Sequence, residues 1–459
     1  MIFVMCVAFT KAQNPDIKRT NHWYFGNGAG LDFSNGTVVA DTTGHLYTYE
    51  GCSSISDSLG NLQFYTDGDT VWNKNHHSMP NGYGLMGCGN WGSSTQHIIV
   101  PKPNSSTIFY VFTNDCWSNA GAQGSRYSIV DLNADSGNGD VISKNNLLYA
   151  PSTEGVAATK HSNGTDYWIV THEYNNNRFH SYLLSSSGLD TTPVISQTGY
   201  LYNYYVTMFA FSPNGKMLAA APMSTLCDQL FLFNDTTGII SNPINIVGYG
   251  TEYSPRFSPD NSKLYWINSG NLILQYCISN YDSVSINQSR VVFYVVDNSS
   301  FGAIQVGPDN KFYISSIYHT FISTIDFPNN YGSACGLHLF NISLNGFQSA
   351  LGLPNFVGSF MNNDTMPNLC DSVTSINKYN DRMELNVFPN PTNGIITIEM
   401  NNEWEKAIKV FDILGNLIYE QKTNFKKQCS IDLADKANGI YIISVLTNNN
   451  NYIIKLIKN

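Results

Sequence analysis

The sequence lacks any cluster of Lys and Arg: 24 basic residues stand against 34 acidic ones over 459 positions, and charged residues make up only 13%. A phosphate backbone is held by grouped cations, so this pattern argues against a nucleic-acid partner and against an anionic membrane surface. The deficit is uneven: residues 385–459 hold 8 Lys/Arg and 7 Asp/Glu, which leaves 16 against 27 in the rest. Beyond the first dozen residues no run approaches the roughly 18 apolar positions of a membrane helix, so no transmembrane helix is expected. The nine cysteines contain no C-x-x-C, which leaves zinc ribbons and thioredoxin chemistry without support. Heptads are absent as well.

What is present favours short strands. A 42% hydrophobic content can fill a large core, and 28 Tyr, 25 Phe and 36 Gly suit strands joined by tight turns. Residues 1–13 form a short apolar run that ends in a small residue at Ala12 and lacks the usual basic start; they read as a secretory signal, truncated at its start, with a buried N-terminal strand as the alternative. Cys88 and Cys116 lie in Gly- and Asn-rich loops and make the most plausible disulfide, with unpaired buried thiols as the alternative.

Three segments share one grammar: Phe211-Ser-Pro-Asn-Gly-Lys-Met-Leu, Phe257-Ser-Pro-Asp-Asn-Ser-Lys-Leu and Val306-Gly-Pro-Asp-Asn-Lys-Phe. Each reads as strand, turn, strand, and the turn prolines Pro213, Pro259 and Pro308 are 46 and 49 residues apart, a spacing suited to propeller blades. Weaker copies start near Ala157, Ile98 and Ser54. Four strands per unit and about six repeat starts predict an all-β chain folded over residues 20–361 as a β-propeller. An open ring leaves backbone groups unpaired, so the ends should share a blade, with Leu353–Phe360 supplying the first strand to Trp23–Gly26 and Gly30–Phe33. Seven blades are preferred over six. The segments Trp23-Tyr-Phe-Gly-Asn-Gly-Ala-Gly-Leu-Asp-Phe33 and Asn61-Leu-Gln-Phe-Tyr-Thr-Asp-Gly68, with the Ser-Pro-Asn/Asp turns, resemble secreted bacterial proteins related to tryptophan-aspartate repeat propellers. That resemblance implies a fold more firmly than an activity.

Residues 362–384 are polar and aperiodic, as a linker is. Beyond them seven short alternating segments between Leu385 and Ile457 predict a compact β-sandwich. Phe388-Pro-Asn-Pro-Thr-Asn-Gly394, Val410-Phe-Asp-Ile-Leu-Gly415, Gly439-Ile-Tyr-Ile442 and the basic end Ile454-Lys-Leu-Ile-Lys458 stand in order. Together they resemble the type A sorting domain of the type IX secretion system, over residues 385–459. By that resemblance Pro389, Asn390, Pro391, Gly394, Asp412, Gly415, Gly439, Tyr441 and Lys455 carry the motif. The partner so implied is an outer-membrane translocon, and the destination is the medium or the cell surface. Taken as residues alone, the prolines and glycines are ordinary turn formers.

Signals for chemistry are weaker. Gly82-Tyr-Gly-Leu-Met-Gly87 matches a phosphate-cradling pattern without its strand–turn–helix setting. Asp131, Asn133 and Asp135 alternate as calcium ligands do, but the sixth-position Gly and distal Glu are missing, and a turn between outer strands is preferred. His161, Asp166, His172, Glu173 and His180 crowd one repeat, either as a network tying strands together or as acid/base groups at a channel mouth. No cofactor is expected. The function these features predict is non-enzymatic binding of an extracellular glycan or protein, with an exported hydrolase or lyase as the rival.

Overall fold

The computed structural model describes residues 14–88, 94–223, 228–248, 252–268, 272–294, 300–362, 385–400, 404–405, 407–413, 416–421, 424–425, 428–446 and 451–459. The signal expected at 1–13 and all but the first residue of the linker expected at 362–384 lie outside them. The chain divides into two compact units, Met1–Asp371 and Ser372–Asn459.

Among the described residues of the larger unit, seven antiparallel sheets follow one another along the chain. The first holds His22–Phe25, Ala29–Asp32 and Val39–Ala40. The other six open with Ser53–Ser56, His97–Pro101, Ser152–Lys160, Thr207–Phe211, Glu252–Phe257 and Phe301–Val306, and each adds three or more strands in order. All six repeat starts read from the sequence fall in the opening hairpin of one of these sheets.

The turns explain the repeat. Ser212 and Ser258 close theirs with backbone bonds to Met217 and Lys263, and Gly307 does so with Lys311. The third turn residue is Gly215, Asn261 or Asn310, each with φ between 63° and 70°, where only Gly and Asn sit readily.

Burial sorts the strands. The opening strands Ser53–Ser56, His97–Pro101, Thr207–Phe211 and Phe301–Val306 are buried throughout, whereas the last strands Ser78–Tyr83 and Ile239–Ile246 alternate. The opening strands are therefore innermost, and they lie against one another in chain order. The seventh sheet returns to the first: Tyr313 packs on Trp23 and Phe33 at 5.5 and 5.2 Å between ring centroids, in one core with Leu31 and Ile304.

The closing segment departs from expectation, because Leu353–Phe360 makes no strand. Phe356 does reach Trp23, at 5.9 Å, yet the segment ends in the 3-10 turn Gly358–Met361. Pro354 has no N–H to give a ladder. Partners from several sheets take the neighbouring polar groups instead. Gln305 Nε2 donates to the Pro354 carbonyl at 2.6 Å, the Asn355 N–H donates to the Cys52 carbonyl, and Asn355 Nδ2 donates to the Val156 carbonyl at 3.0 Å. Upstream, the Leu351 N–H donates to Tyr49, beside the start of an opening strand. Downstream, the Lys160 N–H, at the end of another, donates to Ser359 Oγ at 2.9 Å. Residues 351–360 thus thread the space between the innermost strands from one end to the other.

In the smaller unit Leu385–Phe388, Ile395–Met400 and Gln428–Asp432 form one sheet. Leu417–Gln421, Ala407–Asp412, Gly439–Leu446 and Asn451–Lys458 form a second, and Ile396, Ile408, Ile431, Ile443 and Leu456 share the core.

Candidate functional site

Two carboxyl groups lie where the innermost strands begin. Glu154, 1% exposed, accepts from the Trp117 N–H at 2.6 Å through Oε1 and from the Thr95 N–H at 3.1 Å through Oε2. Burial still outweighs those bonds and pushes its carboxyl up to about 7. Glu50, which keeps some solvent contact, is pushed up to about 8, first by desolvation and then by the charge of Glu154. The buried Tyr253 hydroxyl donates to Glu50 Oε1 at 3.5 Å. The charges acting on the pair are negative, Glu154 on Glu50 and Asp115 on Glu154. Both carboxyls therefore hold their protons to higher pH than an exposed glutamate does, a property fit for moving a proton.

Two aromatic residues meet Glu154 through their backbones: the Trp117 N–H donates to its carboxylate, and its own N–H donates to the Tyr205 carbonyl. Trp117 is 60% exposed, and Tyr174 stacks on Tyr205 at 3.9 Å. The Cys88–Cys116 disulfide, with Cα atoms 5.9 Å apart, anchors the residue preceding Trp117. It also means that the Cys88–Asp115–Cys116 cluster offers no pair of thiolates to a metal.

Beside Glu50 opens a cleft of about 310 Å³ lined by Asn27, Tyr47, Thr48, Tyr49, Tyr318, Gln348, Ser349 and Ala350. It sits at the seam between the first and last sheets. The backbone there is tied across the seam, where the Asn27 N–H donates to Gln348 and Leu351 to Tyr49, and within each side, where Thr48 donates to Gly26 and Tyr318 to Ser349. A Cβ at Gly26 would stand 2.4 Å from the Gln348 carbonyl, so glycine is required for this approach.

The structure separates the residues that crowd the fourth repeat. His161 and Asp166 sit in the turn before Tyr167–Glu173, where Asn163 bridges them: its N–H donates to His161 Nδ1 and its Nδ2 to Asp166 Oδ2. His172 and Glu173 lie at the other end of that strand. The His172 ring is fully buried against Phe179 and Tyr202, and its Nδ1 donates to the Glu173 carbonyl. Desolvation lowers its pKa to about 3, so the ring is neutral. Glu173 accepts from His180 Nε2 at 2.7 Å and from Asn176. Neither group reaches Glu50 or Glu154 by any hydrogen bond of the described residues. Asp131, Asn133 and Asp135 form the turn between Ser125–Asp131 and Asp140–Tyr149, where Asp131 Oδ1 accepts from the Asn133 N–H. The glycine pattern at 82–87 begins inside the strand Ser78–Tyr83 and runs on as a turn without a helix.

Sequence reasoning missed Glu50 and Glu154 because 104 positions separate them. The usable signal was positional: Glu50 stands three residues ahead of the opening strand Ser53–Ser56, and Glu154 stands near the start of the opening strand Ser152–Lys160, two residues ahead of Val156.

In the tail the motif residues converge on the last strand. Asn390 Nδ2 donates to the Lys455 carbonyl at 2.7 Å and Asn390 Oδ1 accepts from the Ile457 N–H at 2.9 Å, between Pro389 and Pro391. Gly394 passes so close to Ala434 that a Cβ would stand 2.8 Å from its Cα. Gly439 and Tyr441 pair with Lys458 and Leu456, and the Tyr441 hydroxyl donates to the Ala437 carbonyl at 2.6 Å. Asp412 accepts from Asn416 N–H and Nδ2 to close its turn. Gly415 lies outside the described residues.

Residues 386–459 match the family model of the secretion system C-terminal sorting domain. The ulvan lyase NLR42 of Nonlabens ulvanivorans is 45% identical over 75 residues, 16% of this chain and 14% of that protein, so the chain spans about a seventh of the length of this curated relative. Hsv2 of Kluyveromyces lactis aligns with 67% of this chain and 90% of its own at 11% identity and a TM-score of 0.40. A 6-phosphogluconolactonase-like protein of Bacteroides fragilis aligns with 81% and 91% at 12% identity and a TM-score of 0.39. No helix of the described residues is long and apolar enough to cross a membrane. The tail is a type IX C-terminal sorting domain, and the chain that bears it is a protein of the medium or the cell surface, delivered there by that secretion machinery.

Proposed function

We propose that the seven sheets are blades of a β-propeller related to tryptophan-aspartate repeat propellers, and that this exported propeller binds an extracellular glycan or protein without transforming it. The observation that carries the reading is the filled axis. Because residues 351–360 thread the space between the innermost strands, the ligand surface is the aromatic mouth around Glu50 and Glu154 rather than a bore. His161, Asp166, His172 and Glu173 then serve as ties within and between sheets, and Asp131, Asn133 and Asp135 as a turn. Glycan and protein arrays probed with the labelled chain test the proposal: a saturable ligand is expected, and none on either array overturns it. Deleting residues 385–459 should hold the protein in the periplasm, and unchanged appearance outside would refute the role of the tail.

A second reading, an exported hydrolase or lyase, is favoured by one observation: two carboxyl groups of raised pKa at one mouth. Turnover of a polysaccharide that disappears in Glu154→Gln, with the fold intact by circular dichroism, would establish it. Survival of that turnover in Glu154→Gln would remove it.

A further inference from the structure

We propose that the seam cleft between Asn27, Tyr47–Tyr49, Tyr318 and Gln348–Ala350 is a subsite for one neutral sugar unit at the end or along the edge of a glycan; this rests on the binding-module reading and names its site and ligand class.

The lining has the chemistry that a pyranose needs. A sugar ring presents a face of C–H groups and a rim of hydroxyls that both donate and accept. Tyr47 and Tyr318 line the cleft and are 38% and 56% exposed, which puts aromatic surface within reach of the first. Asn27 and Gln348 carry amides and Thr48 and Ser349 carry hydroxyls, groups that can serve the second. Gln348 is held by its Nε2 donating to the Tyr318 carbonyl at 3.2 Å, which leaves its amide oxygen as an acceptor. A volume of about 310 Å³ is at the small end of ligand sites, in keeping with one ring rather than a long chain.

Charge narrows the class. Among the described residues no Lys or Arg lines the cleft, and the large part of the chain is acidic. A uronate or sulfated unit would meet no cation and would lie against negative potential. A neutral hexose or pentose meets neither penalty.

The site is also built in advance. The two strands of chain that bear its rings are joined by backbone bonds across the seam, and Ser349 Oγ donates to the Ser316 carbonyl at 2.5 Å. Little ordering remains to be done when a ligand arrives, which is how a small contact area yields usable affinity.

The experiment titrates the full chain by calorimetry with maltohexaose, cellohexaose, xylohexaose, mannohexaose and laminarihexaose, and with polygalacturonate as the charged probe. At least one neutral probe should bind, and Tyr318→Ala should weaken it about tenfold or more, with Tyr318→Phe close to wild type and the melting temperature unchanged. Tyr83→Ala, a 71% exposed tyrosine outside the cleft, is the control and should bind as wild type does. Equal affinity of Tyr318→Ala and wild type overturns the subsite and leaves the binding-module reading standing. Binding of polygalacturonate or of an array protein with none of the neutral probes also overturns the subsite alone. Binding of nothing in any assay ends both.

Discussion

At one end of the innermost strands Asp16 lies 2.5 Å from Lys160 Nζ and 2.8 Å from Arg19 Nε; at the other, Glu50 feels the charge of Glu154, and Glu154 that of Asp115. Burial alone would raise the Asp16 carboxyl, but the hydrogen bonds and charges of Lys160 and Arg19 more than offset it and hold the group below its ordinary value. The same burial, met at the mouth by neutral donors and by more negative charge, leaves Glu154 at about 7 and Glu50 at about 8. Asp16 is part of a clamp: Asn14 in the same turn donates to carbonyls of Ser359, Phe360 and Asn362, so the far end fastens the N-terminal turn to the threaded segment. The mouth instead keeps two carboxyls of raised pKa among negative charges, an arrangement that costs stability where the far end gains it.

Glu154→Ala breaks the comparison hardest. The N–H groups of Thr95 and Trp117 both lose their acceptor, and about 2–4 kcal/mol of stability should go with them in urea unfolding. A loss below about 0.5 kcal/mol would show that these donors are satisfied elsewhere. Next in size is the response to pH, which the two ends should drive in opposite directions. A carboxyl raised from 4.5 to about 8 binds more protons folded than unfolded, so the stability linked to Glu50 is full below about pH 4.5 and is lost as pH climbs toward 8. Asp16, depressed below 3.8, gives stability that is present above that value and lost as pH falls through its folded pKa. Melting temperature should therefore decline on both sides of a plateau at pH ~4, and Glu50→Gln should lessen the slope on the alkaline side only, Glu154 supplying what remains. An alkaline slope unchanged in Glu50→Gln would place its source in another group.

The far end and the mouth were not equally legible. Strands, turns and the six repeat starts follow from local grammar, since Ser-Pro-Asx-Gly/Asn turns and alternating apolar residues act within a few positions of one another. The tail was legible through its motifs in order: Gly394 and Tyr441 are held by partners close in sequence, whereas Asn390 reaches Lys455 and Ile457 on the last strand. The thread at 351–360 was misread as a strand because its residues are apolar and spaced like one, whereas its bonds go to Val156 and Gln305, in two different sheets, and to Cys52, just ahead of a third. Glu50 and Glu154 carry no spacing signal, for a strand start is where the chain meets its neighbours, not itself. The histidines of the fourth repeat misled in the opposite way: His161 and His172 are close in sequence and stand at opposite ends of one strand.

The smallest effect sharpens the far end. In Lys160→Met the long side chain can still cover the same surface, so packing is kept while one of two cations leaves Asp16. Arg19 remains at 2.8 Å, and both partners retain some solvent contact, 29% and 13%, which screens the lost attraction. About 1 kcal/mol or less should be lost at neutral pH, and the loss should vanish below the folded pKa of Asp16, where the carboxylate is gone. A deficit that persists undiminished in acid would mean that Lys160 acts through its contacts with the threaded segment, and the clamp would then owe its strength to packing rather than to charge.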